Sequence, residues 1–256
     1  MKNTITQRPL LSALLITLSW WLITEFTFKQ ISPWIDHLSF LPENGGYVIA
    51  QLLLCVYAIV LLTAVGSWRE MGLMHAPTWR ECLLFLPLLI APVLILFSSG
   101  IHLTEPVQIG LAFLFTLAIG FSEEVAFRGI VLRLFLPRGA LPAALIGSAI
   151  FGLLHLGNIF AGQSIALTIV QIFFAALGGF GLAAPYIKTN ALWPLIIVHM
   201  LVDFTQKLAK GFGHAGVGYS SSEMAIYLLG SIVIAGYAFW LLRRKNPMTA
   251  LAKVTA

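Results

Sequence analysis

Eight long apolar stretches occupy most of the chain, and they constrain its fold more than any other feature. A transmembrane α-helix needs about 20 consecutive, predominantly apolar residues, and most of these stretches are close to that length. The predicted spans are Leu10–Phe28, Tyr47–Gly66, Cys82–Ser98, Val107–Leu132, Leu141–Phe160, Ile165–Pro185, Leu192–Gln206 and Met224–Leu242. The sequence therefore predicts an all-α, polytopic transmembrane helical bundle of about eight spans. Because the seventh stretch is short, six or seven spans are the alternative.

The composition excludes the common soluble classes of protein. Hydrophobic residues make up 59% of the 256 residues and charged residues only 10%, whereas an average soluble domain has about 25% charged residues. A soluble enzyme, a disordered chain or a nucleic-acid-binding protein would need more charges at its surface. The net charge of +5 comes from scattered basic residues rather than a patch. No long polar linker or internal repeat divides the chain, so we expect one membrane-embedded domain over residues 1–256.

The Lys and Arg residues that flank the spans predict the orientation. With both termini in the cytoplasm, eleven of the 15 basic residues fall on the cytoplasmic side, and Lys29, Lys207 and Lys210 on the opposite side. Arg128 lies inside a span. This bias follows the positive-inside rule. We therefore expect a multi-pass protein of the cell inner membrane, in contact with membrane lipids, with both termini cytoplasmic.

Cysteine and glycine residues in the spans predict how the helices pack. Cys55 and Cys82 lie in or beside apolar runs without a metal-binding spacing, which predicts two free, buried thiols. Gly178, Gly179 and Gly181 in the sixth span predict a close helix crossing, because small residues let helix backbones approach.

Six ionisable residues lie inside the predicted fourth, fifth and seventh spans: Glu123, Glu124, Arg128, His155, His199 and Asp203. An ionised side chain at the centre of a membrane costs about 2.5–3.5 kcal/mol on insertion scales. These residues are therefore candidates for a functional site. Glu25 stands alone near the end of the first span, and we expect it to reach toward the membrane surface instead.

The spacing of these residues places them on particular helix faces. Glu124 and Arg128 are four residues apart and can form an intrahelical pair. Glu123 is rotated by about 100° from Glu124 and lacks such a partner, so it is free to face a substrate, a water molecule or a metal ion. His199 and Asp203 are also four residues apart, which places an imidazole beside a carboxyl group.

The fifth span contributes a third polar face, on which Phe151 and His155 lie four residues apart. We expect the fourth, fifth and seventh spans to turn these faces toward one another around a small hydrated cavity. A carboxylate in a poorly solvated pocket is a good general base at neutral pH. One imidazole can then help to activate water, while a second imidazole with a neighbouring carboxyl group stabilises a tetrahedral oxyanion. The pattern favours a peptidase that acts within the membrane.

Two other functions are consistent with the same residues. Buried Glu–Arg and His–Asp pairs also hold helices in register, so a non-catalytic membrane protein, such as an immunity or chaperone-like factor, would keep them as structural pairs. Intramembrane His and Glu residues also form proton relays in transporters. However, the sequence shows neither the inverted repeat nor the paired broken helices that many transporters have.

Three motifs, one in each of these spans, resemble those of the CPBP family of intramembrane proteases. This family includes the type II CAAX prenyl endopeptidases and the bacteriocin-processing Abi proteins. Its pattern is EExxxR, then FxxxH, then HxxxN or HxxxD. The matching residues are Glu123-Glu124-x-x-x-Arg128, Phe151-x-x-x-His155 and His199-x-x-x-Asp203. A segment similar to the one before the family core is Arg69-Glu70-Met71-Gly72-Leu73, followed by Pro77 and Trp79. The resemblance covers residues 69–206.

The resemblance implies a role for each of these residues. Glu123 would be the general base that activates water, with His155 assisting it. His199 and Asp203 would form the pair that stabilises the oxyanion. The third motif ends here in Asp rather than Asn. The charge of Asp203 must therefore be neutralised by protonation, or offset by His199, before the pair can help an oxyanion.

Glu124 and Arg128 would brace the first motif and orient the site. The resemblance favours a metal-free mechanism of the glutamic-protease type, with no cofactor. If zinc were bound, its ligands would be Glu123, His155 and His199, although no motif has the HExxH spacing of zincins. The substrate would be a membrane-associated peptide or protein. A prenylated C-terminus, a bacteriocin leader and a sorting tail all fit this description.

Overall fold

The computed structural model describes residues 7–38, 40–65, 68, 70–212 and 220–244. Within these residues the protein is helical and contains no β-strand. Eight of its helices are long and apolar enough to cross a membrane. They are α1 (Pro9–Asp36), α2 (Gly45–Val65), α3 (Trp79–Ser99), α4 (Pro106–Arg138), α5 (Ala140–Ile159), α6 (Ile165–Thr189), α7 (Leu192–Lys210) and α8 (Ser221–Arg243). The predicted all-α bundle of eight spans is confirmed.

Several helices extend beyond the apolar stretches that predicted them. α1 continues to Asp36, α4 to Arg138 and α7 to Lys210. α8 begins with a capping box, in which the side chains of Ser220 and Glu223 each accept a hydrogen bond from the other's backbone N–H. Hydropathy marks the part of a helix that suits hydrocarbon, whereas backbone hydrogen bonds and caps decide where the helix ends.

The helices do not pack in simple chain order. α6 packs against α5 on one side and α8 on the other, α7 packs against α4 and α3, and α4 packs against α2. The consecutive helices α6 and α7 contact each other only slightly. The gap between them forms a cavity that both helices line.

Glycines allow two of these pairs to cross closely. A Cβ atom at Gly120 of α4 would lie 2.8 Å from the carbonyl oxygen of Ile196 in α7. A Cβ atom at Gly152 of α5 would lie 2.8 Å from the carbonyl oxygen of Ile172 in α6. Both distances are too short for a real Cβ, so any larger residue would push these helices apart.

The glycines of α6 have two different surroundings. Gly181 packs directly against Ile234 of α8, and a Cβ atom at Gly179 would lie 3.0 Å from Nη2 of Arg128. The predicted close crossing is confirmed at these two positions. Gly178 has open space around it instead, and it lines the cavity. The prediction of close packing is therefore wrong for Gly178.

In the described part of the chain, four spans depart from α-helical geometry, and the shorter π-helical segment is Thr27–Ile31 in α1. The segment Glu124–Leu132 of α4 is a π-helix, and all nine of its residues are buried. The segment Leu83–Leu89 of α3, which contains Pro87, is a 3₁₀-helix, and α5 ends in a 3₁₀ segment, His155–Ile159. Proline removes a backbone donor, which accounts for the irregularity in α3. The α-helical spacing that the sequence suggested for the EExxxR motif therefore ends at Glu123.

The segment between α2 and α3 is attached to helices that are distant from it in sequence. The Tyr186 hydroxyl group in α6 donates a hydrogen bond to the Met71 carbonyl group at 3.1 Å. The Trp193 indole in α7 donates one to the Leu73 carbonyl group at 2.9 Å. This segment thus connects α6 and α7 at one end of the bundle. Arg69, which belongs to the same sequence motif, lies outside the described residues.

Large apolar side chains cover the outer surface of the bundle. Leu14 and Leu22 are about half exposed, and Phe97 is 90% exposed. Extensive apolar exposure is unfavourable in water but suits a surface in contact with lipid. Cys55 and Cys82 are both free thiols, but Cys82 is exposed in the first turn of α3. The prediction of two buried thiols is therefore wrong for Cys82, because this turn lies on the outer face of the bundle, and Cys55 is only partly buried.

Candidate active site

Glu124 lies at the centre of the site and is completely buried. Its Oε1 atom accepts a hydrogen bond from Nη1 of Arg128 at 2.7 Å, which is the intrahelical pair that the sequence predicts. The same oxygen accepts a second hydrogen bond from Nδ1 of His199 at 2.6 Å. Two charge-assisted hydrogen bonds thus hold this carboxylate in one orientation and join α4 to α7.

Three carboxyl groups surround the imidazole of His199. Its Nδ1 atom is bonded to Glu124, while its Nε2 atom lies 3.5 Å from Oδ2 of Asp203 and 3.8 Å from Oε2 of Glu123. The consecutive residues Glu123 and Glu124 therefore approach opposite nitrogens of one ring. Because Nδ1 donates to Glu124, the ring orientation is fixed and Nε2 is directed toward the other two carboxyl groups.

The change from α-helix to π-helix occurs between these two glutamates. Glu123 is the last residue of the α-helical part of α4, and Glu124 is the first of the π-helical part. π-Helical turns occur frequently at functional sites. The sequence reasoning missed this feature, because no residue type in the motif marks a π-turn.

Two further contacts hold this part of α4 in place. Gly120, one turn before the glutamates, lets the helix lie against the backbone of Ile196 in α7. On the other side, Gln51 of α2 donates a buried hydrogen bond to the Ser122 hydroxyl group at 2.9 Å. The sequence reasoning also missed Gln51. The available signal was a single amide side chain within the apolar second span, where an unpaired polar group is costly.

His155 lies where the α-helical part of α5 ends. Its Nδ1 atom donates a hydrogen bond to the Phe151 carbonyl group at 3.1 Å. A carbonyl oxygen can only accept, so the neutral ring has its proton on Nδ1, and its Nε2 atom is an acceptor. This is the state that a base or a proton carrier requires.

Phe151 connects the residues of the other two motifs. Its ring makes edge-to-face contacts with the rings of His155 and His199, at centroid distances of 5.4 Å and 6.1 Å. The guanidinium group of Arg128 lies 4.2 Å from the Phe151 centroid, within the range of a cation–π interaction. The first residue of the FxxxH motif thus contacts the arginine and both histidines.

A cavity of about 450 Å³ lies beside this cluster, between α6 and α7. His155, His199 and Asp203 line it, whereas Glu123 does not. The side chain of Glu123 is 19% exposed and approaches the cluster through Nε2 of His199. Most of the remaining wall is apolar and comes from α3, α6, α7 and α8. Lys207, which the sequence reasoning placed only as a flanking residue, also lines the cavity.

Comparison with known proteins identifies the relationship that these motifs suggest. Residues 105–205 match the family model that describes Rce1-like type II CAAX prenyl endopeptidases. This segment begins at α4 and contains all three motifs. The chain resembles this protease family. The similarity that the motifs indicated is thus confirmed over α4 to α7. No curated protein and no solved structure matches the chain.

The residues that resemble the Rce1-like family's motifs are brought together to different extents. Glu123, Glu124, Arg128, His199 and Asp203 form one connected group of ion pairs. His155 joins this group through the Phe151 ring and the shared cavity. Glu25 pairs with Lys29 and lines no part of the cavity, as expected for a residue outside the group.

The zinc-ligand set considered for an Rce1-like site does not form a coordination sphere here. Among the described residues, no group of three or more His, Cys, Asp or Glu side chains is arranged to hold a metal ion. The Nδ1 hydrogen bonds of His199 to Glu124 and of His155 to a carbonyl group leave both Nε2 atoms available, so the separation of the three side chains, rather than the state of the rings, is what does not fit a metal. The proposed mechanism uses no metal ion.

Proposed function

We propose that this protein is an intramembrane endopeptidase that hydrolyses a peptide bond of a membrane-associated peptide or protein. The observation that carries the proposal is the His199 imidazole, which three carboxyl groups surround at the edge of an apolar cavity that also contains His155. The similarity to a protease family over the same helices supports it. The bias of basic residues in the sequence supports a location in the inner membrane with both termini cytoplasmic.

Glu123 supplies the general base in this proposal. Unlike Glu124, it has no short hydrogen bond to a cation among the described residues, and it is partly exposed. It removes a proton from water while the water oxygen attacks the carbonyl carbon of the substrate, and the carbonyl oxygen becomes the oxyanion. The C–N bond then breaks, and the proton passes to the leaving amine. His155, whose Nε2 atom is a free acceptor, assists these proton transfers.

His199 and Asp203 face the oxyanion in this proposal. Because Glu124 accepts the hydrogen bond from the Nδ1–H group, the ring can donate to the oxyanion only through Nε2, and it does so as the doubly protonated imidazolium. A donor that is held in place before reaction stabilises developing charge without a cost of reorganisation. Arg128 and Glu124 therefore contribute indirectly, because they hold the ring that makes this hydrogen bond.

Terminus-resolved mass spectrometry of cell membranes tests the proposal. Cells express the wild type, Glu123→Gln or the control Glu25→Gln at matched levels. The control makes the same change in a span outside the site. We expect peptide ends that are present with the wild type and Glu25→Gln and absent with Glu123→Gln, and these ends would identify the bond that is cut.

Two other outcomes would contradict parts of the proposal. If no peptide end depends on Glu123, the motifs are structural. The hypothesis of a non-catalytic membrane protein then replaces the proposed peptidase. If ends depend on Glu123 but disappear with 1,10-phenanthroline and return with added zinc, the protease is zinc-dependent and the metal-free mechanism is wrong.

A further inference from the structure

The cluster around His199 contains more acidic than basic groups. Glu123, Glu124 and Asp203 all lie within 4 Å of this imidazole, but only Glu124 has an arginine partner. In a poorly solvated interior, charges interact strongly and an unbalanced charge is costly. The negative charge of Asp203 lies beside the position that we assign to the oxyanion. It would therefore oppose the reaction unless a cation offsets it.

Lys207 is placed to provide this cation. It follows Asp203 by four residues in α7, so both side chains lie on one helix face, and both line the cavity. Opposite charges four residues apart on a helix attract each other, although among the described residues no direct ion pair joins these two groups. The Lys207 ammonium group lies 5.8 Å from the centroid of the Phe115 ring in α4. Among the described residues, no hydrogen bond or ion pair engages it elsewhere.

The other cations near the site already have partners. Arg128 is bonded to Glu124 at 2.7 Å, and Lys210 is bonded to Glu223 of α8 at 2.6 Å. Lys210 lies almost one helical turn beyond Lys207 and also lines the cavity. Lys207 is thus the cavity-lining cation that lies nearest to Asp203 along α7.

We infer that Lys207 is a positioning residue for the proposed reaction: its ammonium group offsets the charge of Asp203, so that the His199–Asp203 pair can face a developing oxyanion. The inference rests on the proposed function. It explains how this chain uses an aspartate at the end of its third motif, where Asn is the neutral alternative. It also separates two roles on one helix face, because His199 contacts the reacting group and Lys207 acts through Asp203.

A double-mutant cycle tests the inference. The full chain is reconstituted in proteoliposomes, and the probe is a synthetic peptide that spans the bond identified by its Glu123-dependent ends. We expect Lys207→Met to lower kcat at least about tenfold with little change in KM. In the Asp203→Asn background, the same change should lower kcat less than about threefold, because no charge remains to be offset.

Two additional variants separate charge from shape. Lys207→Arg keeps the charge and should retain kcat within about threefold of the wild type. Lys188→Met, at the opposite end of the bundle, makes the same substitution away from the site and should leave kcat and KM unchanged. If Asp203→Asn itself has no measurable turnover, the contrast between Lys207→Arg and Lys207→Met decides.

Four other outcomes would overturn the proposed role of Lys207. Equal losses from Lys207→Met in both backgrounds, or a loss that falls on KM, would mean that Lys207 acts on the substrate rather than through Asp203. A loss with Lys207→Arg as large as with Lys207→Met would exclude a role for charge. If no peptide end depends on Glu123, the proposed function fails and this inference fails with it.

Discussion

At the scale of single residues, two adjacent glutamates have different surroundings. Glu124 is completely buried and accepts two hydrogen bonds on one oxygen, whereas Glu123 is 19% exposed and its contact with His199 is 3.8 Å. The four-residue spacing to Arg128 predicted the first bond of Glu124. The second bond joins residues 75 positions apart, and nothing in local spacing predicts it. This difference suits a structural role for Glu124 and a chemical role for Glu123.

Arg128→Met tests the structural role of this pair. The change removes one of two donors to a completely buried carboxylate, and breaking a buried ion pair costs about 3–5 kcal/mol. We expect a lower melting temperature in detergent, a lower yield and reduced cleavage. Arg138→Met is the control, because Arg138 is exposed at the end of the same helix. An unchanged melting temperature for Arg128→Met would show that the pair does not brace α4.

At the scale of helices, the site depends on how α4 approaches α7. α4 changes from α-helix to π-helix at Glu124, between the two glutamates that approach His199. The contact with α7 is close because Gly120 has no side chain. The length of the apolar stretches predicted that both helices exist. It did not predict the π-turn, because the hydrophobic pattern of so short a segment does not distinguish a π-turn from an α-turn.

Gly120→Ala should separate these two helices. Its Cβ atom would lie 2.8 Å from the Ile196 carbonyl oxygen, so α4 or α7 must move. We expect a lower melting temperature and a loss of cleavage of about tenfold or more, because small displacements of catalytic groups are costly. Gly110→Ala in the same helix is the matched control, since nothing lies within 4 Å of its Cβ position. Equal behaviour of the two variants would refute the importance of this crossing.

At the scale of the whole molecule, the slight contact between α6 and α7 leaves room for the cavity. α6 packs instead between α5 and α8, and α7 packs against α3 and α4. The cavity therefore has walls from helices that are far apart in sequence. His155 and His199 line it, which places the proposed chemistry beside a mostly apolar space that suits a membrane-embedded substrate segment.

Gly178→Leu tests whether the substrate uses this cavity. Gly178 lines the cavity and nothing lies within 4 Å of its Cβ position, so we expect a leucine side chain to extend into the cavity and fill part of its volume. We expect unchanged thermal stability but a several-fold increase in KM for the cleaved peptide. Gly236→Leu is the control, because that glycine of α8 has equal space but does not line the cavity. Wild-type cleavage by Gly178→Leu would place the substrate elsewhere.

The sequence by itself determined the eight membrane spans and the local pairing of Glu124 with Arg128. Both properties depend on short-range physics: the burial of apolar stretches in lipid, and the four-residue repeat of a helix face. The three motifs also indicated the protease family, because their order and their location in separate spans are retained in the linear chain.

Only the tertiary structure decided which polar groups meet. Helix crossings bring Glu123 and Glu124 to opposite nitrogens of His199. They also produce the contact of Phe151 with Arg128 and place Lys207 in the cavity. These crossings arise from packing at positions such as Gly120 and from a π-turn at Glu124. Helix positions in a bundle result from many simultaneous contacts between distant residues, so no local pattern determines them.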